Sequence, residues 1–358
     1  MKNNIQIQTV KESRLKNVDF NSIPFGRTFS DHMFVSEYKD GEWVNPRIVP
    51  FENFQIHPAS MVLHYGQAIF EGMKATKSVN GQPLFFRPEE HVHRINASAR
   101  RMCMPEIPQD LFMDAVHQLV ALDQAWIPPG SGSALYLRPF MFANDEFIGV
   151  APANNYTFII FTGPVGPYYS KPVSLLAESK YVRAAIGGVG EAKTAGNYAA
   201  SLLPAKIAKE KGFDQVMWLD AKEFKYVQEV GTMNIFFVID GKVVTPATDG
   251  AILKGITRKS AIEILRKEGY EVEERRISID ELVAAQEAGT LQEAFGTGTA
   301  AVVSHVSSIQ IHDHLLELPP VEERKVAPLV KKIINGLRDM TIEDTYGWVV
   351  PVREHAAV

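Results

Sequence analysis

The chain has 358 residues, of which 46% are hydrophobic and 22% charged, the composition of a folded soluble protein of about two domains rather than a disordered one. Its formal net charge of −5 argues against binding to a nucleic-acid backbone. A single cysteine, Cys103, excludes an intramolecular disulfide and a Cys-based zinc site, and the N-terminus shows no apolar signal-peptide run, so a reducing, cytoplasmic setting is expected.

In chain order, 54–63 and 67–75 read as short strand or turn segments, with His64-Tyr65 as a strand end. A helix is expected over 88–102. Pro88 suits its first position, Glu89 and Glu90 its positive end, and Val92, Ile95, Ala99 and Met102 make an apolar stripe. Arg94 lies well off that stripe, which assigns it to a solvated face or one turned toward another domain. Segments 134–142 and 156–162, rich in aromatic and branched residues, read as strands. The uncharged stretch 147–170 is broken by Pro152, Pro164 and Pro167 and cannot form a membrane helix.

The densest run of backbone punctuation, Gly163 to Pro172, marks the boundary. A small N-terminal domain (1–163), a connecting loop (164–172) and a larger C-terminal domain (173–358) follow from it. Beyond it a helix follows Asn197, kinked or broken by Pro204, and strands are expected at 215–219, 234–239 and 242–245, the last two joined by an Asp240-Gly241 turn. Thr257 is placed as the N-cap of a helix ending at Gly269. Ser278 and Glu281 form a capping box for a helix closing near Gly289, and an amphipathic helix runs over 321–337. Strands and helices mix without a βαβ cadence, so the fold class is α+β.

The most unusual segment is Gly187-Gly188-Val189-Gly190-Glu191-Ala192-Lys193-Thr194-Ala195-Gly196-Asn197-Tyr198. A lysine among small residues is either a solvated group in a flexible loop or a nucleophile given room for a substrate carbon. Gly255-Ile256-Thr257 opens a helix whose free N–H groups either cap it or bind phosphate, and Gly296-Thr297-Gly298-Thr299 reads as a tight turn or a second nest of donors after a strand. Glu229 precedes a very apolar strand, as a strand-end charge or as a buried acceptor for a protonated ring nitrogen. The histidines carry no strong metal spacing, so no metal is expected, and hydrolase, P-loop and dinucleotide motifs are missing.

Together these stretches, with Phe70-Glu71-Gly72-Met73-Lys74-Ala75 and Tyr136-Leu137-Arg138-Pro139, resemble the branched-chain-amino-acid aminotransferases, pyridoxal 5'-phosphate enzymes of fold type IV. The resemblance implies a two-domain α+β fold with the cofactor between a small N-terminal and a larger C-terminal domain. It implies transamination between leucine, isoleucine or valine and 2-oxoglutarate. The same-fold alternatives are a D-amino-acid aminotransferase and an aminodeoxychorismate lyase. By the same resemblance Lys193 forms the Schiff base and shuttles the proton, Glu229 meets the pyridine nitrogen and Tyr198 the phenolic oxygen. Arg94, Ile256, Thr257 and Thr299 form the phosphate cup, with Thr232 and Gly298 also on the cofactor; this assignment turns Arg94 inward, against the helical wheel. Phe29, Tyr65, Tyr136, Arg138 and Tyr168 would line the substrate pocket, with Tyr65, Arg138 and the backbone of Thr299 and Ala300 meeting the carboxylate. Mammalian relatives carry a C-x-x-C pair where this chain has Ala301 and Ser304, so thiol regulation there should be missing. A homodimer acting on small molecules, with no nucleic acid or membrane partner, completes the expectation.

Overall fold

Aromatic and β-branched runs set the N-terminal half into strands. The computed structural model describes residues 4–130, 132–166 and 171–353, and the chain folds into two compact units. The first comprises Met1–Tyr168, Ala192–Ala195 and Asn335–Val358; the second comprises Tyr169–Glu191 and Gly196–Ile334.

In the first unit the strands are β1 Gln6–Ile7, β2 His32–Lys39, β3 Glu42–Pro50, β4 Ala68–Phe70, β5 Met73–Lys77, β6 Pro83–Phe86, β7 Ala134–Ala143 and β8 Tyr156–Val165. They pair in the order β1-β3-β2-β8-β7-β5-β6, the late strand Val349–Pro351 closes the β6 edge, and β4 lies on β7. Helices α2 (Pro88–Arg101) and α3 (Gln109–Leu122) bury Ile95, Ala99, Phe112 and Val116 with Phe34, Ile69 and Phe158. Each such large side chain contributes about 1.5–3 kcal/mol. The helix expected over 88–102 forms almost as drawn. The pair His64-Tyr65 does not end a strand: it closes α1 (Met61–Tyr65), terminated by Gly66 at φ 67°.

Segment 192–195 joins this unit as an extra edge. Phe70 N–H donates to the Lys193 carbonyl at 2.9 Å, Lys193 N–H donates to Ser98 Oγ at 2.9 Å, and Thr194 Oγ1 donates to the Ala68 carbonyl at 2.7 Å. The backbone of the candidate nucleophile is thereby pinned on both sides.

In the second unit the strands are β9 Val173–Ala177, β10 Gln215–Leu219, β11 Val227–Val230, β12 Met233–Ile239, β13 Lys242–Thr245, β14 Val272–Glu274, β15 Leu291–Gly298, β16 Val302–Ile311 and β17 His314–Glu317. The pairing β11-β10-β9-β16-β15-β12 returns to β11, so six strands close a ring around Leu175, Met217, Ile235, Phe237 and Ile309. Mostly antiparallel pairing with a few parallel pairs makes the whole an α+β fold, as the sequence implied.

Several local expectations are corrected. Gly255, in extended backbone (φ −65°, ψ 131°), and not Thr257, is the N-cap of α6 (Ile256–Lys267), and the position is glycine because a Cβ there would meet Asn234 Oδ1 at 1.9 Å. Thr257 falls in the first turn. Phe295 to Gly298 lie inside β15 rather than after a strand, and the turn follows at 299–301. The chain breaks between α4 (Ala195–Ala200) and α5 (Leu202–Glu210) before Pro204, which sits in the first turn of α5 where its missing N–H costs nothing. The helix expected over 321–337 divides into a short 3-10 turn (Val321–Glu323) and α8 (Val326–Arg338); the Glu293 carboxylate accepts the N–H groups of Lys325, Val326 and Ala327 and sets the start. Half of the expected capping box forms: Ser278 Oγ accepts from Glu281 N–H at 3.1 Å at the head of α7 (Ile279–Glu287), while the Glu281 carboxylate accepts instead from Arg275.

Candidate active site

In the first unit, a buried carboxylate organises the charged groups. Glu71 is completely buried, and Arg94 grips both its oxygens, Nε at 2.6 Å and Nη2 at 2.8 Å, while His91 Nδ1 lies 2.9 Å from Oε2. His91 and Arg94 are three residues apart on α2, which puts both on the face that meets Glu71. Burial alone would raise the Glu71 acid, but the Arg94 charge and these hydrogen bonds hold it far below the usual carboxylate range. Burial likewise lowers His91, against the pull of Glu71. Nδ1–H donation from neutral His91 to Glu71 satisfies both groups.

Lys193 Nζ lies 4.7 Å from the centre of the Phe70 ring, and the Arg138 guanidinium lies 4.8 Å from the same centre. Burial first, and then the Arg94 charge, lower the Lys193 ammonium to about 8, with Glu71 opposing. A neutral amine is therefore present in quantity near neutral pH, which is the requirement for attack on a carbonyl. Arg138 Nη2 donates to the Tyr136 hydroxyl at 3.2 Å. That hydroxyl occupies the space beside Gly72, where a Cβ would sit 1.9 Å from it, so residue 72 must be glycine for Tyr136 to hold this position.

In the second unit the tight β11–β12 hairpin places Glu229 directly opposite Asn234. Asn234 Nδ2 donates to Glu229 Oε1 at 3.0 Å and to the Leu253 carbonyl at 2.9 Å, and Leu253 N–H donates to Oε1 at 3.3 Å. Arg183 Nε lies 2.6 Å from Oε2. A small open cleft is lined by Arg183, Asn197, Tyr198, Ser201, Glu229, Gly231, Thr232 and Leu253. Next to Asn234, Gly255 leads into α6, whose first-turn amides at Ile256 and Thr257 lie at the positive end of the helix.

A family model for class IV amino-transferases matches residues 68–309, which contain Lys193, Glu229 and Thr299. The chain belongs to the class IV aminotransferases. Among its relatives, branched-chain-amino-acid aminotransferase 2 of Bacillus subtilis (strain 168) is 47% identical over 338 residues, covering 93% of both chains. The solved branched-chain amino acid aminotransferase of Escherichia coli superposes with a TM-score of 0.73 at 28% identity, over 90% of this chain and 99% of that one. The T.th. branched-chain amino acid aminotransferase, solved with pyridoxamine 5'-phosphate, gives a TM-score of 0.72 at 28% identity, over 89% and 98%.

The fold of this class IV aminotransferase brings Arg94, Tyr136, Arg138 and Lys193 into one neighbourhood of the first unit, and Tyr198, Thr232 and Glu229 into one cleft of the second. Arg94 is not on a solvated face: its side chain is 11% exposed and bound to Glu71, so the wheel reading is corrected. Phe29 is half-buried against Phe51 and Phe161, with ring centres 5.1 and 5.4 Å away. Tyr65 is exposed at the end of α1, its ring 4.6 Å from that of His64. Gly298 ends β15, with Thr299 and Ala300 half-buried in the turn beyond it. Tyr168 lies outside the described residues. Residue-by-residue reading missed Glu71 and His91 as the support of Arg94, and Arg183 and Asn234 as the support of Glu229. For His91 and Asn234 a signal existed, in the three-residue spacing on α2 and in the hairpin register.

Proposed function

We propose that this enzyme transfers amino groups between branched-chain L-amino acids and 2-oxoglutarate, giving branched-chain 2-oxo acids and L-glutamate, with pyridoxal 5'-phosphate as its cofactor. The observation that carries this reading is Lys193, an amine lowered to about 8 and pinned by its backbone, in a class IV aminotransferase whose named relatives are branched-chain aminotransferases. The D-amino-acid and lyase alternatives are not favoured by those relatives.

The residues suit that cofactor's chemistry, which needs an amine, a cationic phosphate cup and an anion for a ring nitrogen. When bound, the cofactor supplies a carbonyl that accepts the amino group and a ring that withdraws electrons from the substrate Cα. Lys193 anchors it and moves the proton at that carbon. Glu229 keeps the proton on the ring nitrogen, and Tyr198 donates to the phenolic oxygen. Arg94, the first-turn amides of Ile256 and Thr257, and Thr299 hold the phosphate, with Thr232 and Gly298 beside the cofactor. Phe29, Tyr65, Tyr136 and Tyr168 offer apolar area to a leucine, isoleucine or valine side chain. Tyr65, Arg138 and the backbone of Thr299 and Ala300 meet the carboxylate.

The same reading makes the enzyme cytoplasmic and a homodimer, with 164–172 connecting its N-terminal and C-terminal domains. Phe54, Leu63, Ile148 and Val150 are exposed apolar residues that a second copy would cover. Among the described residues no helix is long and apolar enough to cross a membrane.

The test is a visible absorption spectrum of the purified protein with pyridoxal phosphate, before and after L-leucine without a keto acid. A yellow band that fades on L-leucine is the expected result, and Lys193→Ala should lose turnover while unfolding at the same temperature. Fading with D-leucine only would overturn the substrate assignment.

A further inference from the structure

We infer that Arg183 is a positioning residue that keeps Glu229 anionic and fixed in orientation, so that in the carboxylate–ring-nitrogen pair the proton stays on nitrogen. The inference rests on the assignment of Glu229 to the ring nitrogen.

Arg183 comes from the loop between β9 and α4, and its side chain is only 8% exposed. Two backbone carbonyls fix its guanidinium plane: Nη1 donates to Ala251 at 2.8 Å and Nη2 to Gly190 at 3.3 Å. With both ends of the fork held, Nε is aimed at Glu229 Oε2 at 2.6 Å. The two loops it straps are already pressed together, since a Cβ on Gly190 would meet the Ala251 carbonyl at 2.2 Å. The guanidinium therefore has little room to swing away.

On the other oxygen, Asn234 Nδ2 and Leu253 N–H both donate to Oε1. Arginine, amide and backbone groups at these positions are donors only, so each is satisfied by an anionic carboxylate and opposed by a protonated one. A carboxylate 4% exposed would otherwise favour its neutral acid, because burial penalises charge. Between Glu229 and a ring nitrogen, one proton has two positions: carboxyl with neutral nitrogen, or carboxylate with protonated nitrogen. A permanent cation on Oε2 stabilises the second arrangement over the first. Without it the low-dielectric pocket favours the uncharged pair, and the ring withdraws electrons less strongly.

The test uses holoenzyme reconstituted with pyridoxal phosphate ¹⁵N-labelled in the ring, read by ¹⁵N NMR alongside steady-state kinetics. Wild type should show a protonated ring nitrogen. Arg183→Gln should move the resonance toward the unprotonated position and lower kcat by at least about tenfold, the equivalent of about 1.4 kcal/mol, with KM for L-leucine nearly unchanged. Arg183→Lys, which retains the charge, should recover a large part of both readings and remains decisive if the Gln variant folds poorly. In a Glu229→Gln background, Arg183→Gln should change kcat by less than about threefold, because its target is gone. A ring nitrogen still protonated in Arg183→Gln, or the same kcat loss in both backgrounds, overturns the inference. An unprotonated nitrogen in wild type instead overturns the Glu229 assignment and the inference with it.

Discussion

Removing the Glu71 charge gives the sharpest test of how this site makes its amine. A lysine with the ordinary value of 10.5 is neutral in roughly one molecule in 3,000 at pH 7, whereas one lowered to about 8 is neutral in roughly one in 11, close to 300 times more nucleophile. Burial and Arg94 push Lys193 down, and Glu71 partly restores it. Glu71→Gln preserves shape and cancels the restoring charge while Arg94 remains. The Lys193 midpoint should therefore fall further, by about one pH unit, since a neighbouring charge of opposite sign typically moves a group by about 1–3 units. The same substitution strips Arg94 of its buried partner, so stability should drop by about 3–5 kcal/mol. Competitive acetylation of the cofactor-free protein across pH, read on the Lys193 peptide by mass spectrometry, reports the midpoint directly. A wild-type midpoint near 10, or an upward move in Glu71→Gln, would refute the reasoning.

Other perturbations address the rest of the molecule. Lys74 is a buried lysine lowered to about 7 by burial and the Arg338 charge, so the unfolded chain binds more protons than the folded one between pH 7 and 10.5. Stability should therefore rise with pH through that window; Lys74→Met should flatten the rise and raise the melting temperature at neutral pH, and an unchanged slope would contradict it. Gly255→Ala puts a Cβ 1.9 Å from Asn234 Oδ1, so Asn234 must leave Glu229. Turnover should fall, with about 1–3 kcal/mol of stability lost; full activity would show that the Asn234 contact is dispensable. Ser278→Ala removes the cap of α7 and should cost about 1 kcal/mol in denaturant unfolding without altering kcat.

Much of the fold was legible because its signals are local. Proline at the first position and glutamates in the first turn mark α2. Asp240 and Gly241, with φ values of 49° and 75°, make the expected hairpin turn, and Ser278 caps α7. Lys193 among small residues stands out as an unusual segment, although composition leaves it open between a solvated loop charge and a nucleophile. Helix α3 carries an equally local signal, with Leu111, Phe112, Ala115, Val116 and Leu119 buried along one face, although no helix was expected there.

Tertiary structure decided what depends on charges and backbones far apart in sequence. A helical wheel ranks faces by apolar burial, so it sent Arg94 outward; the carboxylate that buries it is Glu71, 23 residues earlier, which no periodicity on α2 reports. Glu229 looked like a strand-end charge until the hairpin register set it against Asn234, and Arg183 reached it from 46 residues upstream. The placement of 192–195 beside β4, and of Val349–Pro351 beside β6, likewise follows from strand edges whose open hydrogen bonds had to be met. Local propensity chose the elements and marked the Lys193 amine as unusual without deciding its role. Burial and long-range pairing set the charge state of that amine and the orientation of the groups around it.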